Sequence, residues 1–185
     1  MVRVQSVAAV VAGLVMLAGC ASSSTDVVAP SIDPGLVPRG PTVTGVSVDR
    51  VVDGDTVRVF LHGKSVSVRL IGINTPETVK PGSEVECFGP EASEFAKDLL
   101  SDATVTLEYD DSQGRLDRYD RTLAYVWREL PDGSLRLFNL ESVTGGFAYQ
   151  RQYGSQRYAW QPEFVAAQRS AKAGGAGLWS ACEAP

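Results

Sequence analysis

The sequence predicts an α+β, mainly β domain that follows an export segment. Three observations lead there: five short Val- and Thr-rich runs, an apolar helix opened by proline between the third and fourth, and Gly/Pro punctuation between them. Val43 to Asp53 and Thr56 to Leu61 are separated by Asp-Gly and read as paired strands. His62-Gly63 marks a tight turn, and Lys64 to Ile73 reads as a third strand, ended by Pro76. In that strand Val66, Val68 and Leu70 share one parity while Ser65, Ser67 and Arg69 share the other. One face is therefore buried, and Arg69 points the opposite way, toward solvent or a site.

Gly89-Pro90 opens the first helix, with Glu91 and Glu94 near its positive end and Ala92, Phe95, Ala96, Leu99 and Leu100 as its apolar stripe. Thr104 to Tyr109 and Thr122 to Leu130 read as strands four and five, and Pro131-Asp132-Gly133 as a turn. Asn139 to Thr144 predicts a short helix stopped by Gly145-Gly146, with Asn139 as its cap. A last helix runs from Pro162 to Lys172, and Leu178 and Trp179 beyond it are placed to cap a core. Periodicity alone supports a mixed, mainly antiparallel domain.

A chain of 185 residues suits one domain and a tail. Its hydrophobic fraction of 44% and mean hydropathy of -0.04 fit a globule rather than a disordered chain. The first twenty residues differ: Arg3 is the only charge, and Val7 to Leu17 is apolar but too short to span a bilayer. Leu17-Ala18-Gly19-Cys20 looks like a bacterial lipobox, which predicts a lipoprotein signal over residues 1–19 and a lipid on Cys20; an ordinary signal peptide is the alternative. Residues 20–41, rich in Ser, Pro and Gly, read as a tether of roughly 25 Å, with the domain over 42–185.

With Cys20 assigned to lipid, Cys87 and Cys182 remain and can pair in an oxidising compartment. The bridge would close a loop of about 95 residues, worth roughly 4 to 5 kcal/mol on the chain-entropy argument. Removing Arg3 with the signal leaves 16 basic against 22 acidic side chains. That argues against a broad cationic surface coating nucleic acid, but not against a small site with local arginines.

Three segments carry chemistry. Asp53-Gly54-Asp55-Thr56 puts two carboxylates on one side of an extended chain, where they need a cation or solvent; a hairpin turn is the bland alternative. Arg69 to Glu77 reads R-L-I-G-I-N-T-P-E, with an arginine and a carboxylate flanking an apolar run and a turn. Asp117 to Arg121 reads D-R-Y-D-R, which could equally be arginines paired with Asp117 or Asp120. Together they hold what metal-assisted phosphodiester hydrolysis needs: carboxylates for a hard cation, a carboxylate for water, and arginines for phosphate.

Over Thr42 to Ser180 these motifs make the chain resemble the staphylococcal nuclease (thermonuclease) family. The resemblance implies a five-stranded OB-like barrel with about three helices, a monomer, and hydrolysis of DNA, with RNA an open second substrate. It implies calcium bound by Asp55, Asn74 and the Thr75 carbonyl, with Asp53 acting through water. Glu77 matches the residue that positions or deprotonates the attacking water, and Arg69 and Arg121 match the two arginines on the scissile phosphate. Arg118 and Tyr119 match a basic residue and a tyrosine that contact nucleotide phosphate. The chain departs from the pattern at Asn74, where the family has Asp, and at Asp120, where it commonly has Gly. Tyr149, Tyr153 and Tyr158 lie where the family places base-stacking tyrosines, but the match fails there and core or surface roles stay open. His62, the only histidine, sits in a turn and is given no catalytic role.

The expectation is therefore a calcium-dependent nuclease outside the cytoplasm, anchored at the cell surface or periplasmic face through Cys20 and leaving 3′-phosphate ends. The competing reading is an OB-like lipoprotein that binds nucleic acid or protein without cutting. Acidic charge, Asn74 and Asp120 favour it, and the set Arg69, Glu77 and Arg121 counts against it.

Overall fold

Twelve residues of one bent strand organise the domain in the computed structural model, which describes residues 35–78, 82 and 84–183. Cys20, the signal segment and the tether up to residue 34 lie outside the described residues. Strand β1 (Thr42–Asp53) pairs antiparallel with both β2 (Thr56–Leu61) and β5 (Thr104–Glu108). Register shifts between Val43 and Val46, and again after Val48, let it serve both neighbours, because a bulge bends and twists the strand that carries it. β2 turns through His62-Gly63 into β3 (Lys64–Leu70), whose Arg69 stands opposite Thr56.

β6 (Thr122–Glu129) pairs antiparallel with β5 and, through Thr122 to Ala124, parallel with β3. That parallel pairing closes a five-stranded barrel. Valines and leucines of alternating parity fill it, Val59, Val68, Leu107 and Val126 among them, all out of solvent. α1 (Gly89–Leu100) has Pro90 in its first turn and packs against β1, burying Ala92, Ala96 and Leu100 of the expected stripe, with Phe95 and Leu99 partly buried. β7 (Leu135–Leu137) extends β6, α2 (Phe138–Thr144) follows at once, and β8 (Tyr149–Gln150) leads on to α3 (Gln161–Gly174) and a single turn, α4 (Leu178–Ala181). Four helices thus stand among the described residues where about three were expected; the extra one is the turn that carries Leu178 into the core.

Three local readings need correction. The third strand does not run unbroken to Ile73: it ends at Leu70, turns through Ile71-Gly72, and resumes as β4 (Ile73–Asn74) against β8. The turn is forced by packing. Gly72 has φ +80°, and a Cβ there would lie 2.7 Å from the Tyr158 ring and 2.9 Å from Phe164.

Asn139 does not cap α2. Its Oδ1 accepts the Val126 N–H and its Nδ2 donates to the Ile71 carbonyl, so this buried amide ties β6 to the turn below the site.

The tether's last residues are also not free. The Arg39 and Gly40 N–H groups donate to Glu108 Oε1, and the Arg39 guanidinium lies 3.7 Å from the Trp160 ring. Glu108 is completely buried, and its Oε2 accepts the indole N–H of both Trp127 and Trp160. One carboxylate therefore joins β5, β6, the start of α3 and the chain leading into β1.

Candidate active site

The sequence motifs meet in a cleft of about 790 Å³ at one end of the barrel. The β1–β2 turn brings Asp53 and Asp55, β3 brings Arg69, and β4 with its extension brings Asn74, Thr75 and Glu77. The β5–β6 connection supplies Arg118, Tyr119 and Arg121. Gly54 allows the first turn to sit against the second: a Cβ there would meet the Thr75 side chain at 2.6 Å. All nine residues singled out for metal, water or phosphate line this one cleft. Cys87 and Cys182 are joined by a disulfide outside it, and Cys87 follows directly on Glu86 of the cleft wall.

Arg69 is buried and fully engaged. Its Nη1 donates to the carbonyls of Leu70 and Ile73, both at 3.0 Å. Its Nη2 meets Asp55 Oδ2 at 2.8 Å, the Tyr153 hydroxyl at 2.8 Å and Asn74 Oδ1 at 3.2 Å. A planar guanidinium with this many fixed partners is pre-set before any substrate arrives. Arg121 is held by Asp117, whose Oδ2 takes Nε and Nη2 at 2.7 Å each. Asp117 Oδ1 accepts the Tyr119 and Arg121 N–H groups, so the carboxylate that pairs with the arginine also shapes the loop. Partial burial would raise the Asp117 carboxyl, but hydrogen bonds from Arg121 and Tyr119 outweigh it and hold the group below its ordinary value. The Arg–Asp pairing that the bland reading offered is thus present, within the cleft rather than instead of it. Asp120 stands at φ +60°, the left-handed conformation in which glycine is easiest and Asp is tolerated.

The profile of the family described as "Staphylococcal nuclease homologue" matches residues 67–181. The chain belongs to the staphylococcal nuclease family. It is 41% identical over 133 residues to a thermonuclease of Staphylococcus hyicus, covering 72% of this chain and 74% of that one. To a Staphylococcus intermedius thermonuclease it is 45% identical over 106 residues, 57% of this chain and 59% of that one. A Bacillus subtilis protein, endonuclease YncB, is 42% identical over 85 residues, 46% and 40% of the two chains. The match thus spans less than two thirds of the second and third relatives.

The groups in this member of the staphylococcal nuclease family that could hold a cation are all oxygens: the Asp55 carboxylate, the Asn74 amide and the Thr75 carbonyl, with the Asp53 carboxylate beside them to act through water. That set fits a hard ion such as calcium. Among the described residues no third His, Cys, Asp or Glu side chain joins the pair. Burial first, and the neighbouring Asp55 charge second, push the Asp53 carboxyl up to about 6, although its Oδ1 accepts the Asp55 N–H. Asp55 Oδ2 is shared between the Thr75 N–H and Arg69, which fastens the β1–β2 turn to β3 and to the segment after β4.

Tyr153, Arg151 and Glu86 are among the cleft residues not foreseen from sequence. The Tyr153 hydroxyl donates to Asn74 Oδ1 at 2.8 Å while its ring lies 5.4 Å from the Arg69 guanidinium. Arg151 adds a cation beside it, and Glu86 forms part of the wall. Of the other two tyrosines, Tyr158 is buried in the core and also lines the cleft, while Tyr149 packs edge-on against Trp179. The failed tyrosine match was the one available signal for Tyr153.

Proposed function

We propose that this chain is a calcium-dependent nuclease acting outside the cytoplasm on DNA, with RNA as a second substrate. Its family membership makes it a metal-dependent phosphodiester hydrolase. The choice of calcium, the product ends and the location are our reading. One observation carries it: the hard oxygens of Asp53, Asp55, Asn74 and Thr75, the Glu77 carboxylate and the Arg69 and Arg121 guanidiniums line the same cleft.

In this reading Glu77 orients a water and takes its proton as the oxygen attacks phosphorus in line. Arg69 and Arg121 meet the negative charge that grows on the phosphoryl oxygens, from positions already fixed by Asp55 and Asp117. When bound, calcium supplies further positive charge to the same oxygens. Arg118 and Tyr119, whose side chains are bonded to each other at 2.7 Å, face a neighbouring phosphate from the exposed rim. Breaking the P–O5′ bond leaves a 3′-phosphate and a 5′-hydroxyl, whose oxygen takes its proton from solvent. The Leu17-Ala18-Gly19-Cys20 motif supports a lipid anchor on Cys20 that holds a monomer at the cell surface or periplasmic face.

The test is plasmid digestion with calcium and with chelator, followed by end-group analysis. Cutting that needs calcium and leaves 3′-phosphates is expected. Binding without cutting under both conditions would support a non-catalytic module instead.

A further inference from the structure

Glu77 lies beyond the last residue of β4, and two backbone hydrogen bonds tie it to a residue nine positions on. The Glu77 N–H donates to the Glu86 carboxylate at 3.0 Å, and the Glu86 N–H donates back to the Glu77 carbonyl at 2.9 Å. The Glu86 carbonyl in turn accepts the N–H of Gly89, first residue of α1. The next residue after Glu86 is Cys87, cross-linked to Cys182 with a Cα–Cα distance of 5.9 Å. Cys182 donates its N–H to the Leu178 carbonyl, Leu178 is buried, and the Leu178 N–H bonds to the Gly146 carbonyl below α2. A continuous path thus runs from the core through α4, the disulfide and Glu86 to the backbone of Glu77.

Glu86 is itself exposed, so its carboxylate gains little stability from this contact. What the contact changes is where Glu77 stands. A group that must hold a water in line with phosphorus works over a fraction of an ångström, and a displacement of about 1 Å can cost a hundredfold in rate.

We propose that Glu86 is a positioning residue for Glu77, and that the Cys87–Cys182 disulfide keeps it in place for that task. This rests on the reading of Glu77 as the residue that handles water. Glu86 accepts a backbone N–H and touches neither water nor phosphate in the reaction. An acceptor oxygen is what the role needs, so an amide can fill it.

The test measures kcat, KM and the calcium midpoint for Glu86→Ala, Glu86→Gln and the Cys87→Ser/Cys182→Ser double variant, well below their unfolding temperatures. Glu86→Ala is expected to lower kcat by about tenfold to a hundredfold, with KM and the calcium midpoint within about twofold of the parent. Glu86→Gln should recover most of the loss, and the double serine variant should lose kcat in the same selective way. In a Glu77→Ala background, Glu86→Ala should cost nothing more, as expected for residues acting through one another.

Equal losses in both backgrounds, or a loss in KM rather than kcat, would overturn the proposal and leave the reading of Glu77 intact. An unchanged kcat in the double serine variant would overturn the part given to the disulfide. If Glu77→Ala itself cut at the parental rate, the reading of Glu77 would fall instead. Should Glu86→Ala not fold, Glu86→Gln and the double serine variant still decide: parental kcat in the first with a selective loss in the second supports the proposal, and any other pattern overturns it.

Discussion

Arg69 and Asp55 meet at 2.8 Å with both side chains less than a tenth exposed, so the arginine proposed for phosphate leans on a carboxylate proposed for metal. The two halves of the site share an atom, Asp55 Oδ2.

This coupling makes Arg69 intolerant of its nearest substitute. Lysine keeps the charge but cannot reach Asp55, Asn74, Tyr153 and two carbonyls from one planar group. Arg69→Lys should lower kcat by about a hundredfold, close to the effect of Arg69→Ala. Urea unfolding should show a loss for Arg69→Ala of about 3 kcal/mol, because Asp55 is left buried without its partner. A lysine variant with near-parental kcat would contradict this.

Asn74→Asp should lower the calcium needed for half-maximal cutting. A carboxylate attracts a hard cation more strongly than an amide, and Asp keeps the acceptor that Tyr153 and Arg69 use. Repulsion from Asp53 and Asp55 takes back part of the gain, so about a tenfold shift, ~1.4 kcal/mol, is expected. An unchanged midpoint in a calcium titration would remove residue 74 from the ligand set.

Asp53 predicts a pH dependence with a definite sign. Burial, then the charge of Asp55, raise its carboxyl from 3.8 to about 6, so without metal the folded protein binds a proton that the unfolded chain releases near pH 4. Its contribution to stability is therefore present at low pH and lost as pH rises through 6. A calcium ion held beside Asp53 favours its ionised form, so the calcium midpoint should worsen by up to about tenfold per unit as pH falls below 6. Binding measured calorimetrically at pH 5 and 7 tests this, and Asp53→Asn should flatten the difference.

Glu108→Ala should be among the most damaging changes far from the cleft. It strands the indole N–H groups of Trp127 and Trp160 and the backbone N–H groups of Arg39 and Gly40. A loss of about 3 to 5 kcal/mol in denaturant unfolding is expected, with kcat preserved where the variant stays folded.

Much of the site was legible because its chemistry is written in short segments. Asp53-Gly54-Asp55, Arg69 to Glu77 and Asp117 to Arg121 each carry their groups within a few residues, and the strand pattern placed them at strand ends. The rest depends on contacts between distant parts of the chain. Tyr153 joins Asn74 across 79 positions and follows no spacing rule. Glu108 and Asp110 sit in a Glu-Tyr-Asp-Asp run that resembles an exposed strand end, yet Glu108 is buried and Asp110 accepts from Tyr125, Ser112 and Ala159. Asn139 looked like a cap because Asn commonly is one; its true partners, Val126 and Ile71, come together only in the closed barrel. The break at Gly72 was hidden for the same reason, since the rings that impose it arrive from Tyr158 and Phe164.

The parallel pairing of β3 with β6 sets Arg69 opposite Leu123, two residues beyond Arg121. Hairpins such as β2–β3 form from neighbours in the chain, but this pairing must first close a long loop, and such closures come late and slowly. The pairing of β1 with β5 spans as many residues, so both long-range closures must be made before the two arginines face one cleft. A chain caught with the β3–β6 seam open would hold most of its hydrogen-bonded strands and still lack a complete cleft. Recovery of cutting after dilution from denaturant should accordingly lag behind recovery of strand signal.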